Sequence, residues 1–141
     1  MATNFDLKIL SPSRALATVK ASALTVPGSC GCMTILPDHA SMVAELESGE
    51  VIVTTSEGLV DRYFISGGYV EVEENRVSLL ADVVEKLREI DSVRALAAKK
   101  RAIDRLSQME PDSDLVRAQR ALKRADQRIM LAQTLASLAK S

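Results

Sequence analysis

The hydrophobic period of this chain changes once, abruptly, just after Asp82, and that change fixes what the chain can become. Before it, apolar side chains recur at every second residue in short runs cut by turn residues. After it they recur at every third or fourth residue, with no glycine at all. A strand pattern does not settle as a helix, nor the reverse, so a β part must be followed by an α part.

The β part reads as several short strands. Phe5-Asp6-Leu7-Lys8-Ile9 alternates apolar with charged, and Ser11-Pro12-Ser13 stops it. Lys20 to Val26 predicts another strand, ended by Pro27-Gly28, and Met33 to Leu36 a short one closed by Pro37. Val51-Ile52-Val53 and Tyr63-Phe64-Ile65 flank a turn signal at Ser56-Glu57-Gly58. Tyr69-Val70-Glu71-Val72-Glu73 and Arg76-Val77-Ser78-Leu79-Leu80 flank a second one at Glu74-Asn75. Strands of this length joined by tight turns predict an antiparallel β-sandwich or flattened barrel over residues 1–84. With no Trp, its core must be mostly aliphatic.

Residues 91–141 predict an antiparallel two-helix hairpin, reached through a linker at 85–90, so the fold class is α+β. Asp91 is the expected N-cap of the first helix, which runs to Met109. Pro111 breaks it, and the second helix follows from about Asp114 to Lys140. Leu115, Ala118, Leu122, Ala125, Ile129, Ala132 and Ala136 form its predicted seam, matched by Val93, Leu96, Ala97, Ile103 and Leu106 on the first helix. A seam so rich in alanine buries little apolar area at about 25 cal/mol per Å². The hairpin is therefore expected to depend on the β part, a ligand or a partner for its position.

Charge divides along the same line. Residues 1–90 carry 7 basic and 13 acidic side chains, a net of −6, whereas residues 91–141 carry 11 and 6, a net of +5. Such opposed halves suit modules with different partners, or modules that attract each other. No apolar run approaches the roughly 20 residues of a membrane span, and the expectation is a soluble, intracellular protein. Cys30-Gly31-Cys32 makes no disulfide framework, and with His39 it falls short of zinc's usual four ligands. The expectation is two small, partly buried residues near a turn. No glycine-rich phosphate loop is present, and His39 lacks a nucleophile in a recognisable setting, so no catalytic group is predicted.

A small-anion site is the one chemical feature the residues propose. Ile90-Asp91-Ser92-Val93-Arg94-Ala95 opens the first helix, and Arg101, Arg124 and Arg128 follow at helical spacing. Arg94 and Arg101 are seven apart and Arg124 and Arg128 four apart, so each pair lies on one helix face. In a hairpin turning near Pro111 the two pairs face each other, and guanidinium forks suit phosphate. Solvated faces of amphipathic helices account for the same rows. A nucleic-acid-binding hairpin would want aromatic residues, and the helical half has none.

Nearly the whole chain also resembles a known family, the epsilon subunit of the bacterial F-type ATP synthase. The resemblance rests on Phe5 to Pro12, on Pro27-Gly28 and Gly31, and on Leu36-Pro37-Asp38-His39-Ala40. Its most specific part is Phe64-Ile65-Ser66-Gly67-Gly68-Tyr69-Val70-Glu71-Val72 followed by Val77-Ser78-Leu79-Leu80-Ala81. Asp38 stands where the family usually has Gly, and Ser41 where it usually has Pro. The resemblance implies a non-catalytic, peripheral subunit of the rotating central stalk, on the cytoplasmic face of the bacterial inner membrane. It implies docking of the β part on the gamma subunit and c-ring, and regulation of ATP hydrolysis at the alpha/beta head by the hairpin. It also implies ATP as a regulatory ligand, with no cofactor required. The ATP site would comprise Glu85, Ile90, Asp91, Arg94, Ala95, Arg101, Arg124 and Arg128, Glu85 being its acidic member.

Overall fold

The computed structural model describes residues 2–108 and 115–139. Seven strands come first: β1 (Phe5–Ser11), β2 (Arg14–Gly28), β3 (Gly31–Ile35), β4 (Met42–Thr55), β5 (Val60–Glu73), β6 (Arg76–Ala81) and β7 (Val84–Lys86). A 3-10 turn at Leu87–Glu89 leads to helices α1 (Ser92–Ser107) and α2 (Leu115–Ala139). The chain divides into a strand unit ending at Lys86 and a helical unit beginning at Leu87. The α+β class is as the period change predicts. Residues 85–90, read as a linker, instead hold most of β7, paired to β5 through Phe64–Glu85, and the 3-10 turn.

The strand unit is a closed barrel. Strands follow the order β1-β6-β5-β4-β2, and β2 pairs again with β1, while β3 extends β2 and β7 extends β5. Closure leaves few strand edges exposed. Period-two alternation sends Phe5, Leu7 and Ile9 of β1 inward, where they meet Leu24, Val26, Val53, Val70 and Leu79. The core is aliphatic, as composition requires.

Two features differ from the sequence reading. Tyr63–Ile65 and Tyr69–Glu73 belong to one strand, β5, which continues through Gly67 and Gly68 at φ 107° and 151°. Likewise β4 begins at Met42, well before Val51. Glycines and acids inside these strands resemble turn signals, yet they sit where a barrel strand bends. The β1–β6 pairing is parallel, whereas every other pairing is antiparallel. Hairpin signals between sequence neighbours cannot reveal it.

One end of the barrel is fastened by side chains. Glu74 and Asn75 have φ 47° and 60°, the mirror-image turn suited to a two-residue hairpin. Asn75 Nδ2 donates to Asn4 O at 2.8 Å, and its Oδ1 accepts from Asp38 N at 2.9 Å. Asp38 itself has φ 62°, the left-handed conformation that glycine adopts freely. Its Oδ2 accepts from Ala2 N at 2.8 Å, so the aspartate offsets its backbone strain with a hydrogen bond glycine cannot make. The turn geometry survives the departure from Gly.

In the helical unit Asp91 is the N-cap, as predicted: its Oδ1 accepts from Arg94 N at 3.0 Å and its carbonyl from Ala95 N at 2.9 Å. Such a cap contributes about 1 kcal/mol. The predicted break at Pro111 lies outside the described residues. Lys99 Nζ lies 2.8 Å from Asp126 Oδ1 and marks the register of the antiparallel pair. The seam differs from the predicted one on α1. Ala95 and Ala102 are buried against Ala118 and Ala125 of α2, whereas Val93 is 78%, Leu96 54% and Ile103 45% exposed, and Ala97 is exposed too. On α2, Leu122, Ile129 and Ala132 are half-buried, but Leu115 and Ala136 are exposed. Two stripes on α1 have helical period, and the one of small residues wins because it lets the helix axes approach closely. No helix among the described residues is long and apolar enough to cross a membrane.

Candidate functional site

The buried alanines give each helix a reference direction. At about 100° per residue, Arg94 and Arg101 each stand one step before a buried alanine, as Arg124 does before Ala125. Arg128 stands three steps after Ala125, about 60° to the same side. In an antiparallel pair, residues displaced the same way round from the seam emerge on the same flank. Lys99 and Asp126 are displaced the other way, and their ion pair marks the opposite flank. The four predicted arginines therefore share one flank of the hairpin.

Axial level follows from the same pair. With Lys99 beside Asp126, two residues forward on α1 and two back on α2 set Arg101 level with Arg124. Arg94 and Arg128 are offset by three residues, about 4.5 Å along the axis. Arg124 and Arg128 are half-buried, Arg94 and Arg101 exposed. The α2 stems thus lie along the apolar surface and keep their charged heads in water. Among the described residues no acidic side chain forms an ion pair with Arg94, Arg101 or Arg124. Like charges gathered this way repel until an anion screens them.

Two arginines escaped the sequence reading. Arg105 stands three steps after Ala102, and Arg117 one step before Ala118, so both continue the same flank. The signal was available once the alanine seam replaced the leucine one as reference. Arg120, two steps from Ala118, points away. The lysines Lys99, Lys100 and Lys123 lie off this flank. Among the described residues the helical arginines other than Arg120 are thus segregated from the helical lysines, as suits planar, bidentate recognition rather than general solubility.

The remaining predicted site residues fall as follows. Ile90 is half-buried and its N donates to Leu87 O at 3.2 Å, closing the 3-10 turn. Ala95 belongs to the seam, where its small size permits close packing. Glu85 is a half-buried residue of β7 in the strand unit, while the others belong to the helical unit. His39 is a turn residue whose Nδ1 lies 2.8 Å from Ala40 O. Cys30 and Cys32 are both exposed free thiols, not partly buried. Among the described residues no three metal-ligating side chains cluster.

A second surface, on the strand unit, was not read from the sequence. Glu45, Tyr69, Leu80 and Leu10 are successive cross-strand partners on β4, β5, β6 and β1 and share the barrel's outer face. Tyr69 is 55% and Leu80 43% exposed, beside a cavity of about 290 Å³ that Pro12, Gly68 and Asp82 help to line. Glu71 and Glu73 follow Tyr69 on the same outward, exposed phase of β5. The usable signal was Tyr69 itself, an aromatic residue on the polar phase of the Tyr69–Glu73 alternation.

Comparison with known proteins gives one result throughout. The family description "ATP synthase, Delta/Epsilon chain, beta-sandwich domain" matches residues 4–87, and "ATP synthase, Delta/Epsilon chain, long alpha-helix domain" matches residues 88–133. An ATP synthase epsilon chain of Desulfitobacterium hafniense is 43% identical over 129 residues, 92% of this chain and 96% of the relative. One from Symbiobacterium thermophilum is 41% identical over 133 residues, 94% of this chain and 95% of the relative. Among solved structures, a chain of the Euglena gracilis mitochondrial ATP synthase superposes with a TM-score of 0.78 at 24% identity, covering 96% of this chain and 82% of that one. A chain of the Tetrahymena thermophila mitochondrial ATP synthase central stalk and c-ring gives 0.56 at 15%, covering 92% and 94%. At those identities the structures share the fold.

Proposed function

Because the chain belongs to the epsilon-subunit family of F-type ATP synthases, we propose that it is a non-catalytic central-stalk subunit whose helical hairpin senses ATP and regulates hydrolysis. The observation that carries the ATP reading is the flank of arginines, from which helical lysines are set apart and on which Arg94, Arg101 and Arg124 have no acidic partner among the described residues. ATP presents three linked phosphates, and paired guanidinium groups neutralise them with charge-assisted hydrogen bonds. Arg94, Arg101, Arg124 and Arg128 hold the phosphates in this reading. Asp91 fixes the start of α1, and Glu85 is the acidic member the family resemblance assigns.

Regulation follows from differential affinity. The arginines converge only while α1 and α2 are paired, so ATP favours that arrangement over any that separates them. Few large side chains oppose such a shift. The buried residues of the helical unit are Leu87 and four alanines among those described. When ATP is scarce, the same arginines are available to an acidic surface of the alpha/beta head. Titrating ATP into the isolated full-length chain by calorimetry tests this. A single saturable site is expected, and no heat at millimolar ATP removes the reading.

The strand unit supplies the docking surface. In this proposal the Tyr69–Leu80 face meets the gamma subunit, and the barrel couples the stalk to the c-ring on the cytoplasmic face of the bacterial inner membrane. An apolar centre with acidic borders is what a basic, amphipathic partner surface requires. Tyr69→Glu combined with Leu80→Glu is expected to abolish co-purification with gamma while leaving thermal unfolding within a few degrees of wild type. Undiminished recovery of gamma with the doubly substituted chain assigns docking elsewhere.

A further inference from the structure

The β2–β3 hairpin carries chemistry that neither docking nor nucleotide binding uses. Ser29 and Cys30 form its two-residue tip, closed by the Gly28–Gly31 pair. Neither tip residue has a positive φ, so the turn is not of the mirror-image types, and Gly31 at φ 126° supplies the relaxation behind it. Cys30 and Cys32 therefore flank a glycine, both exposed and both free thiols. Beyond its two chain neighbours, a Cβ placed on Gly31 meets nothing within 4 Å, so that side of the hairpin tip is open to solvent. Two Cα–Cα steps of about 3.8 Å keep their Cα atoms within roughly 7 Å of each other.

The surroundings decide which thiol chemistry fits. β2 from Ala21 onward, β3 and β4 contain no Lys, Arg or His. β4 instead supplies Glu45, Glu47 and Glu50, the last ion-paired with Arg62 of β5 at 2.8 Å, and Ser29 N donates to Glu45 O at 3.1 Å. Thiols that react with peroxides or disulfides are activated by cationic neighbours, and the flanking strand β4 carries carboxylates and no cation. Such a field favours capture of a cation. Zinc wants four ligands, and among the described residues no third His, Cys, Asp or Glu joins the pair. Two thiolates with no further His, Cys or carboxylate donor among the described residues suit a soft cation satisfied by two ligands.

We infer that Cys30 and Cys32 form a two-thiolate site for a soft monovalent cation of the Cu(I) class. Each thiol releases its proton, two sulfur–metal bonds replace two S–H bonds, and the metal keeps its oxidation state. Metal–sulfur bonds of about 2.3 Å, as in zinc thiolates, allow one ion to bridge side chains spaced this way. The site is independent of the nucleotide reading and stands or falls separately.

The test is anaerobic titration of the reduced full-length chain with Cu(I) against a chromophoric Cu(I) chelator, with Ag(I) as a redox-silent check. One ion per chain is expected, with X-ray absorption showing two sulfur ligands. Cys30→Ser and Cys32→Ser should each weaken binding on the order of a hundred-fold or more, with circular dichroism unchanged. A chelator that keeps all the copper overturns the site, and so does either serine variant holding the ion as tightly as wild type.

Discussion

Gly68→Ala is expected to cost more than about 4 kcal/mol of folding stability, enough to leave much of the strand unit unfolded at 37 °C. A Cβ at this position falls 1.9 Å from Leu80 O and 2.9 Å from both Leu80 C and Ala81 Cα. All three are backbone atoms of β6, so no side chain can swing aside. Gly68 pairs with Ala81 in the β5–β6 ladder, which must therefore open for the methyl group to fit. Its φ of 151° adds a conformation that L-residues seldom adopt. Gly58→Ala is the matched control. Its φ is 86°, yet a Cβ there meets nothing within 4 Å, so only the conformational cost of about 1 kcal/mol applies. Urea unfolding of both variants separates steric collision from backbone preference. Equal losses in the two would show that the β5–β6 contact yields and that the collision is not the cause.

Gly68 also shows where sequence reasoning reached its limit. The Gly67-Gly68 pair reads locally as a break between two strands, because glycine weakens a strand and favours a turn. In the barrel it is the point at which one long strand bends while its backbone presses against β6. Only the β5–β6 pairing carried past Tyr69 distinguishes these, since the collision involves a residue 12 positions away. Asp38 and Asn75 repeat the lesson at the end of the barrel. Asn75 was legible as a turn residue, but its hydrogen bonds to Asn4 and Asp38 join segments that no local pattern connects.

The helices were legible in another way. Period, cap and extent follow from spacing and composition, because each depends on residues within a turn or two. The choice of seam does not. Val93-Leu96-Ile103 and Ala95-Ala102 both recur with helical period, and hydrophobicity alone selects the larger side chains. Close approach to Ala118 and Ala125 selects the smaller ones. The predicted arginines were unaffected, because their spacing within each helix holds whichever stripe faces inward. Arg105 and Arg117 were missed because their flank is defined only relative to the seam.

That flank makes a graded expectation for nucleotide binding. Each guanidinium that donates to a phosphate in a partly desolvated site contributes about 1.5–3 kcal/mol, or roughly ten- to a hundred-fold in affinity. Arg94→Ala and Arg128→Ala should each weaken ATP binding by that factor. Arg101→Ala and Arg124→Ala, level with each other across the seam, should lose comparable amounts singly and less than the sum together. Residues that hold one phosphate group are coupled, so removing the first already releases the second. Arg120→Ala should change little, since Arg120 faces away from the flank. Alanine is a better helix former than arginine, so the losses cannot be assigned to melting of α1 or α2. Calorimetry at two salt concentrations separates the contributions, because screening weakens exposed Arg94 and Arg101 more than half-buried Arg124 and Arg128. Unchanged affinity in both Arg94→Ala and Arg128→Ala would remove the site from this flank, and losses equal to those of Arg120→Ala would reduce it to non-specific charge. A loss confined to the flank, with thermal unfolding unmoved, is the pattern that a nucleotide-holding hairpin requires.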